Sequence, residues 1–546
     1  MRVLGLEGTA WAASAAVYDA DDDSLAVESE PYRPSDGGIH PREAAEHMRE
    51  HVPEVLERAL DAADGPIDCV AFSRGPGLGP CLRIVASAAR AFAATVDAPL
   101  VGVNHMVAHL EVGRHRAGFD DPLCLNASGA NAHVLAYHGG RYRVLGETMD
   151  TGVGNALDKF ARHVGWSHPG GPKIERRAAE GDYHELPYVV KGMDFSFAGL
   201  TSAAQAAVDD GVPVEDVCRG LEETVFGMLT EVAERGLALT GRDELVLGGG
   251  VGQNDRLRSM LAEMCAARDA AFYAPDAHLL RDNAGMIALL GAKMARAGDT
   301  VSVADSAVRP SFRPDEVPVT WRSSPDSAPA PSTGAGPVRG AEATVELGEE
   351  TVTKRRPAKP YRHPALDDRL RRERTVQEAR LLAEARRQGV PTPVVVDVDV
   401  PAYTLTVERV GTADLRDRPS PPAARAVGRH LAAIHQAGIV HGDPTVRNLR
   451  VAPGEDGEAP RRVYLIDFGL GYHSHHVEDH AVDCHVFQNS VAGTAPDPDP
   501  LLAAFEAGYR SAGDGAVVER AREVAGRGRY GGAPSTGEQP AGDGGD

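Results

Sequence analysis

The sequence predicts two units in series, a large two-lobed α/β domain followed by a smaller α+β domain. Three observations predict it. At 546 residues the chain exceeds what one hydrophobic core can organise. The segment SSPDSAPAPSTGAGPVRG, beginning at Ser323, is rich in Pro, Ser, Gly and Ala and lacks any apolar period, which predicts a linker over residues 323–338. The patterns on its two sides differ in kind. Residues 1–322 show apolar runs broken by glycine-marked turns, whereas residues 339–530 show short strands, a long charged helix and a tight set of acidic positions. The tail GGAPSTGEQPAGDGGD, residues 531–546, has the composition of a disordered end.

Composition narrows the function classes. A hydrophobic share of 42% with 25% charged residues is that of a globular chain. No apolar run approaches the ~18 residues of a membrane span, and MRVLGLEGTAWAASAAVYDA reads as a buried first strand, not a signal peptide. The cysteines Cys69, Cys81, Cys124, Cys218, Cys265 and Cys484 form no CxxC pair, which argues against zinc-thiolate and disulfide frameworks and for a reducing cytoplasm. The net charge of -22 coexists with very few lysines: Lys159, Lys173, Lys191, Lys293, Lys354 and Lys359. This is the composition of a salt-adapted protein. Above 1 M salt the Debye length is ~3 Å or less, so net charge says little about partners there. The remaining lysines are the informative positions.

In the first unit, RVLGLEGTAWAASAAVYDA and LCLNASGANAHVLAYHGG each predict a β-hairpin whose small-residue tip lets a ligand approach the backbone. ELVLGGGVGQNDRLRSML predicts a strand, a glycine-rich turn and a helix start, with backbone N–H groups suited to phosphate or ribose. In that order, the three segments resemble the two-lobed actin/hexokinase-like (ASKHA) superfold, in which nucleotide lies between lobes. In VNHMVAHLE, His105 and His109 stand at i and i+4 and share one helix face, where they can bind one metal ion or simply pack. Met106 stands where a zincin has its general-base Glu, which excludes that peptidase chemistry. Asp282, in the RDN turn before an apolar helix, is a third ligand or an N-cap.

Seven ordered motifs, VNHMVAHLE, LNASGANAH, GNALDKFAR, PGGPKIE, DFSFAGLT, LGGGVGQN and RDNAGMIA, resemble the universal tRNA threonylcarbamoyl-transfer proteins, the catalytic subunit of KEOPS. The resemblance implies transfer from threonylcarbamoyl-AMP to the exocyclic amine of adenosine 37 in ANN-decoding tRNA. It implies that His105, His109 and Asp282 hold iron or zinc. Asn126, Ser128, Gly129, Ala130 and Asn131 would cradle the donor, while Asp158, Gly171, Glu175 and Asn254 would hold its ribose and base. Archaeal relatives commonly have a metal-ligating tyrosine at the position of Asn126; here Asn126, water or substrate fills that coordination place.

In the second unit, HGDPTVRNL places Asp443 five residues before Asn448, and IDFGLG follows with Asp467. This is the spacing of the kinase catalytic loop and DFG motif. Lys354 on a predicted strand and Glu378 on a predicted helix match the kinase Lys–Glu pair. No GxGxxG precedes Lys354, and no activation loop follows Asp467. The unit therefore resembles the small RIO-like KEOPS kinase/ATPase, with TKRRPAKPYRHPALDDRLRRERTVQEARLL and RGRY carrying the match. That implies a minimal protein-kinase-like domain using ATP and Mg²⁺, with Asp443 catalytic and Lys354, Glu378, Asn448 and Asp467 at the nucleotide. The cluster Arg355, Arg356, Lys359, Arg362, Arg369, Arg371, Arg372 and Arg374 is either a solvated helix face or a tRNA phosphate contact. The combined expectation is a cytoplasmic fusion acting with tRNA, ATP and the other KEOPS subunits. Its rivals are a carbohydrate kinase fused to a protein kinase, and a non-catalytic scaffold.

Overall fold

A computed structural model describes residues 1–34, 39–322, 338–452 and 462–526. The tail at 531–546, the RGRY motif and the linker up to residue 337 lie outside the described residues. The second unit begins with a strand at Val338, one residue inside the expected linker.

The first unit opens with the antiparallel strands β1 (Arg2–Glu7), β2 (Ala12–Asp19) and β3 (Ser24–Pro31), the first two forming the expected hairpin. After helix α1 (Pro41–Asp61), strand β4 (Cys69–Gly75) pairs in parallel with β1. Helix α2 (Gly79–Val96) leads to β5 (Leu100–Asn104), parallel to β4, and α3 (His105–Ala117) follows at once. The sheet order is β3-β2-β1-β4-β5. The second lobe repeats this plan. Strands β6 (Leu123–Ala127), β7 (Ala132–His138) and β8 (Arg141–Glu147) form the antiparallel part.

A helical excursion comes next, made of α4 (Val153–His163), α5 (Gly171–Ala178), the small ribbon β9 (Val190–Lys191) and β10 (Asp194–Phe195), α6 (Ala198–Asp209) and α7 (Val214–Thr240). Strand β11 (Glu244–Gly248), helix α8 (Asp255–Ala267) and strand β12 (Ala271–Tyr273) complete the second sheet. Its order, β8-β7-β6-β11-β12, matches the first sheet strand for strand. Helices α9 (Ala277–Leu280) and α10 (Ala284–Arg296) close the unit. The apolar α10 lies on β1 so closely that a Cβ on Gly5 would sit 2.4 Å from the Ala284 carbonyl oxygen.

In the second unit β13 (Val338–Arg339), β14 (Thr344–Leu347), β15 (Thr351–Arg355), β16 (Val395–Asp399) and β17 (Thr404–Glu408) form an antiparallel sheet, with α11 (Pro364–Arg387) between β15 and β16. A helical lobe follows. It contains β18 (Ala413–Asp414), α12 (Pro421–Gln436), β19 (Ile439–Val440), β20 (Leu449–Ala452), β21 (Arg462–Leu465), β22 (Tyr472–His473), α13 (Val477–Ala492), α14 (Asp499–Arg510) and α15 (Gly515–Ala525). Helix α13 starts almost immediately after β22, so there is no room for an activation segment. No described helix is long and apolar enough to cross a membrane.

The two units dock along α7, and the basic cluster is where they do so. Arg362 donates to Glu231 at 2.7 Å and to Glu342 at 3.0 Å, while Arg374 reaches the same two carboxylates at 3.0 and 2.6 Å. Lys359 donates to Glu234 at 2.7 Å, and Tyr361, packed in the second lobe's core, donates to Glu234 at 3.0 Å. Arg356 pairs with Glu378, Arg371 with Asp367 at 2.7 Å, and Arg369 with Glu185 at 3.6 Å. Arg356, Lys359, Arg362 and Arg374 are buried, so they form neither a solvated face nor a phosphate-contacting surface; Arg355 and Arg372 stay exposed. A desolvated cation is tolerated only with a hydrogen-bonded counter-charge; α7 supplies it for Lys359, Arg362 and Arg374, and Glu378 supplies it for Arg356.

Four of the six lysines likewise end on carboxylates: Lys191 on Asp479, Lys293 on Glu111, Lys354 on Glu378 and Lys359 on Glu234. We expect Glu231→Ala, which leaves Arg362 and Arg374 to share Glu342 alone and removes the partner of Arg235 Nε, to weaken docking by about 3–5 kcal/mol. Hydrogen exchange of residues 356–374 in the full chain measures this, and a change under about 1 kcal/mol would refute the assignment.

Candidate active sites

The first site gathers at the ends of β5 and β6 and at the start of α10. Asn104 caps α3, its Oδ1 accepting from the N–H groups of Met106 and Val107 at 3.0 and 3.1 Å. The cap starts the helix at His105 and places His109 one turn later, with ring centroids 4.8 Å apart. The Nε2 atoms of His105 and His109 lie 3.3 and 3.2 Å from one atom, Asp282 Oδ1. Asp282 is therefore not the N-cap of α10; Asn283 is, accepting from Met286 N at 3.2 Å. His105, His109 and Asp282 form the one candidate metal cluster of His, Cys, Asp and Glu among the described residues.

Glu7, fully buried on β1, approaches His105 Nδ1 at 3.1 Å and accepts from Thr9 N at 2.7 Å. A carboxylate on the far nitrogen fixes an imidazole so that the other nitrogen faces a metal. Burial opposes charge on His105, yet Glu7 and Asp282 overturn this and raise its pKa to about 10. Burial likewise opposes the Asp282 carboxylate, and the two histidines hold its pKa well below the usual range. Burial lowers that of His109. Two imidazoles and a carboxylate converge in a buried pocket, a donor set that fits iron or zinc. Asn126 is buried beside them, with Nδ2 3.7 Å from Met106 Sδ and Oδ1 unpartnered.

The expected donor residues form one continuous wall. The turn between β6 and β7 is closed by Ser128 N and Oγ, which donate to the Asn131 carbonyl at 2.8 and 2.9 Å, leaving Gly129 and Ala130 exposed at its tip. Asn155 N donates to the Gly129 carbonyl at 2.9 Å, which ties the turn to α4. Asp158 on α4 accepts from Gly170 N at 2.6 Å beside Gly171, the first residue of α5. Glu175 on α5 accepts from Asp255 N at 2.8 Å. Asn254 caps α8 through Oδ1 and donates from Nδ2 to Glu222 at 2.8 Å, where burial raises the Glu222 pKa to about 7. Gly249, at φ +85°, turns so tightly that a Cβ there would lie 2.6 Å from Asn126 Oδ1.

The second site holds every residue that the spacing singled out. Lys354 Nζ reaches Glu378 at 2.9 Å and Asp467 at 2.5 Å, bridging β15, α11 and the DFG turn. Asn448 Nδ2 donates to Asp443 Oδ2 at 2.9 Å. Burial raises the pKa of Asp443 to about 7, against the pull of a nearby arginine. Burial also opposes charge on Asp467, but Lys354 and Arg356 keep it ionised.

Three residues here escaped the motif reading. Asp483 on α13 accepts from the N–H groups of His441 and Gly442 at 2.8 Å each and fixes the loop that carries Asp443. Arg356 pairs with Glu378. Arg235, from α7 of the first unit, donates to Asp443 Oδ2 at 2.7 Å. Nothing local in EVAERGLALT signals the last of these. Glu7, by contrast, stood in plain view as the acidic residue at a hairpin tip.

The profile described as "TsaD: tRNA N6-adenosine threonylcarbamoyltransferase" matches residues 24–289. A bifunctional tRNA threonylcarbamoyladenosine biosynthesis protein of Halobacterium salinarum is 69% identical over 98% of this chain and 100% of its own length. The counterpart in Haloarcula marismortui is 62% identical over 97% of this chain and all of its own. The chain belongs to the bifunctional tRNA threonylcarbamoyladenosine biosynthesis family. A family member from Methanoculleus marisnigri, 51% identical, matches 97% of this chain and 98% of its own. Both units, with the docking along α7, therefore lie within the family's shared length.

In this family member we expect Glu7→Gln to lower affinity for ferrous or zinc ion about 10–100-fold by freeing the His105 ring. Chelator competition reads this directly, and unchanged affinity would separate Glu7 from the metal cluster.

Proposed function

We propose that the first site transfers threonylcarbamoyl from threonylcarbamoyl-AMP to N6 of adenosine 37 in ANN-decoding tRNA. The observation that carries this is the convergence of His105, His109 and Asp282 beside the hydrogen-bonded wall from Ser128 to Asn254. A bond forms from N6 to the carbamoyl carbon, the bond from that carbon to the phosphate oxygen breaks, AMP leaves with the electron pair, and the amine gives up one proton to the departing phosphate or to water. Iron or zinc, when bound, supplies a Lewis acid for the carbamoyl carbonyl. The Ser128–Asn131 turn presents backbone groups to the donor, while Asp158, Gly171, Glu175 and Asn254 take the ribose and base. Asn126, its Oδ1 buried and unpartnered, serves as the neutral fourth contact to metal or donor.

The second unit is a minimal kinase-like domain of RIO type that turns over ATP and regulates the transfer. Lys354 takes the α and β phosphates, Asn448 and Asp467 hold Mg²⁺, and Asp443 accepts the proton of the attacking oxygen. The tRNA substrate places the protein in the cytoplasm, acting with the remaining KEOPS subunits. The carbohydrate-kinase reading of the first unit does not account for two buried imidazoles aimed at one carboxylate oxygen.

Purified protein incubated with unmodified tRNA, synthetic threonylcarbamoyl-AMP and ferrous or zinc ion, with the other subunits present, should yield threonylcarbamoyladenosine by mass spectrometry. His105→Ala should lose metal and product together; full product without metal would refute the site. Asp443→Ala should abolish ATP turnover, and retained turnover would remove Asp443 from the chemistry.

A further inference from the structure

The cavity between Asp443 and Asp467 is also lined by Arg235, Arg356 and Arg374. Two of these guanidiniums are occupied by the framework. Arg356 binds Glu378, and Arg374 binds Glu231 and Glu342. Arg235 is different. Its Nε donates to Glu231 at 3.1 Å and its Nη1 to Asp443 Oδ2 at 2.7 Å, and no hydrogen bond within the described residues uses Nη2. The side chain comes from α7, a helix of the other unit buried over most of its length, so the guanidinium is held rigidly.

The geometry on Asp443 shows what Arg235 leaves open. Oδ2 is shared by Arg235 and Asn448, whereas Oδ1 is buried with no partner. Arg235 therefore turns the carboxylate and leaves one oxygen for an incoming O–H. An attacking oxygen bonded to Oδ1 at about 2.7–3 Å would sit roughly 3–3.5 Å from the phosphorus it attacks. A cation on the neighbouring carboxylate oxygen then lies beside the equatorial phosphoryl oxygens. The sequence also lacks the glycine-rich loop that covers phosphates in kinases, so this site has a shortage of donors over the γ-phosphate.

We propose that Arg235 is a catalytic residue of the second site, supplied by the first unit, whose guanidinium stabilises the phosphoryl group during transfer from ATP. In the step, a bond forms between the attacking water or hydroxyl oxygen and the γ-phosphorus. The bond from that phosphorus to the β–γ bridging oxygen breaks, and ADP leaves with its electron pair. The proton of the attacking oxygen passes to Asp443 Oδ1. The ATP site is thus complete only when α7 is docked. This inference rests on the kinase-like reading of the second unit.

The test uses the full chain with magnesium and measures ATP hydrolysis and binding of ADP with and without aluminium fluoride. Arg235→Ala should lower kcat at least about 100-fold with KM for ATP within about threefold, and Arg235→Lys should fall between it and the unaltered chain. The ADP–aluminium fluoride complex should weaken in step with kcat while ADP binding holds. An unchanged or increased kcat in Arg235→Ala would overturn the proposal and make Arg235 a plug. Arg369→Ala, which removes the partly exposed pair with Glu185 and leaves α7 docked, should keep most of the turnover; an equal loss there would reduce Arg235 to a docking residue. Turnover that vanishes in Asp467→Asn but survives in Arg235→Ala would sink this inference and leave the kinase-like reading standing. No turnover in the unaltered chain would sink both.

Discussion

The row of carboxylates on α7 and the cations that lie against it form the constraint on which the two-unit arrangement depends. Glu231 is completely buried and meets Arg362, Arg374 and Arg235; Glu234 meets Lys359 and Arg268. None of these charges can stay in a low-dielectric seam alone. The pairing therefore works as an exact-match condition: a shift of α7 by one turn would leave several charges stranded at once. Salt strengthens the contrast. Exposed pairs such as Arg372–Asp368 are screened in concentrated salt, while desolvated pairs keep their attraction. In a chain of net charge -22, buried cations at this one seam are a sharper specificity device than any surface charge.

The candidate metal cluster obeys the same rule on a smaller scale. Glu7 and Asp282 bring two carboxylates, the first fully buried and the second partly exposed, to a pair of buried imidazoles. Some positive charge must be present to make that burial tolerable. In the metal-free protein the proton on His105 supplies it, since its carboxylate neighbours hold that proton tightly. A divalent ion held there would replace the proton with a larger charge at the same point, which would link metal uptake to proton release. The repeated sheet order explains the location: the ends of β5, β6 and β11 face one cleft, and α3 and α10 open there.

Local periodicity and spacing in the sequence carry a large part of this architecture. Both hairpins, the strand-turn-helix at Gly248 to Asp255, the helix bearing His105 and His109, and the Lys354, Glu378, Asp443, Asn448 and Asp467 set all follow from patterns a few residues wide. The sequence alone leaves Asp282 between ligand and cap, because the two roles differ only in where the side chain turns. The basic cluster was read against its own helix, where Asp367 and Asp368 do pair with Arg371 and Arg372. Its principal partners sit more than a hundred residues earlier on α7, and no spacing rule links them. The repeat of one sheet order in two lobes was equally hidden, since it resides in pairing and not in residue identity.

Helix α7 also sets how the two sites can influence one another. Near its start Glu222 holds Asn254 at the expected adenylate wall, and near its end Arg235 holds Asp443. The two positions are about 20 Å apart along one helix. A buried helix with most side chains packed moves as a body, so a displacement at one end is not absorbed between them. Any ligand that favours one position of α7 at the donor wall must act on the Asp443 carboxylate through the same shift. Linkage requires the reverse effect to be of equal size in binding free energy. Joining the two units in one chain keeps this mechanical contact in register, where separate chains would have to find it on each encounter.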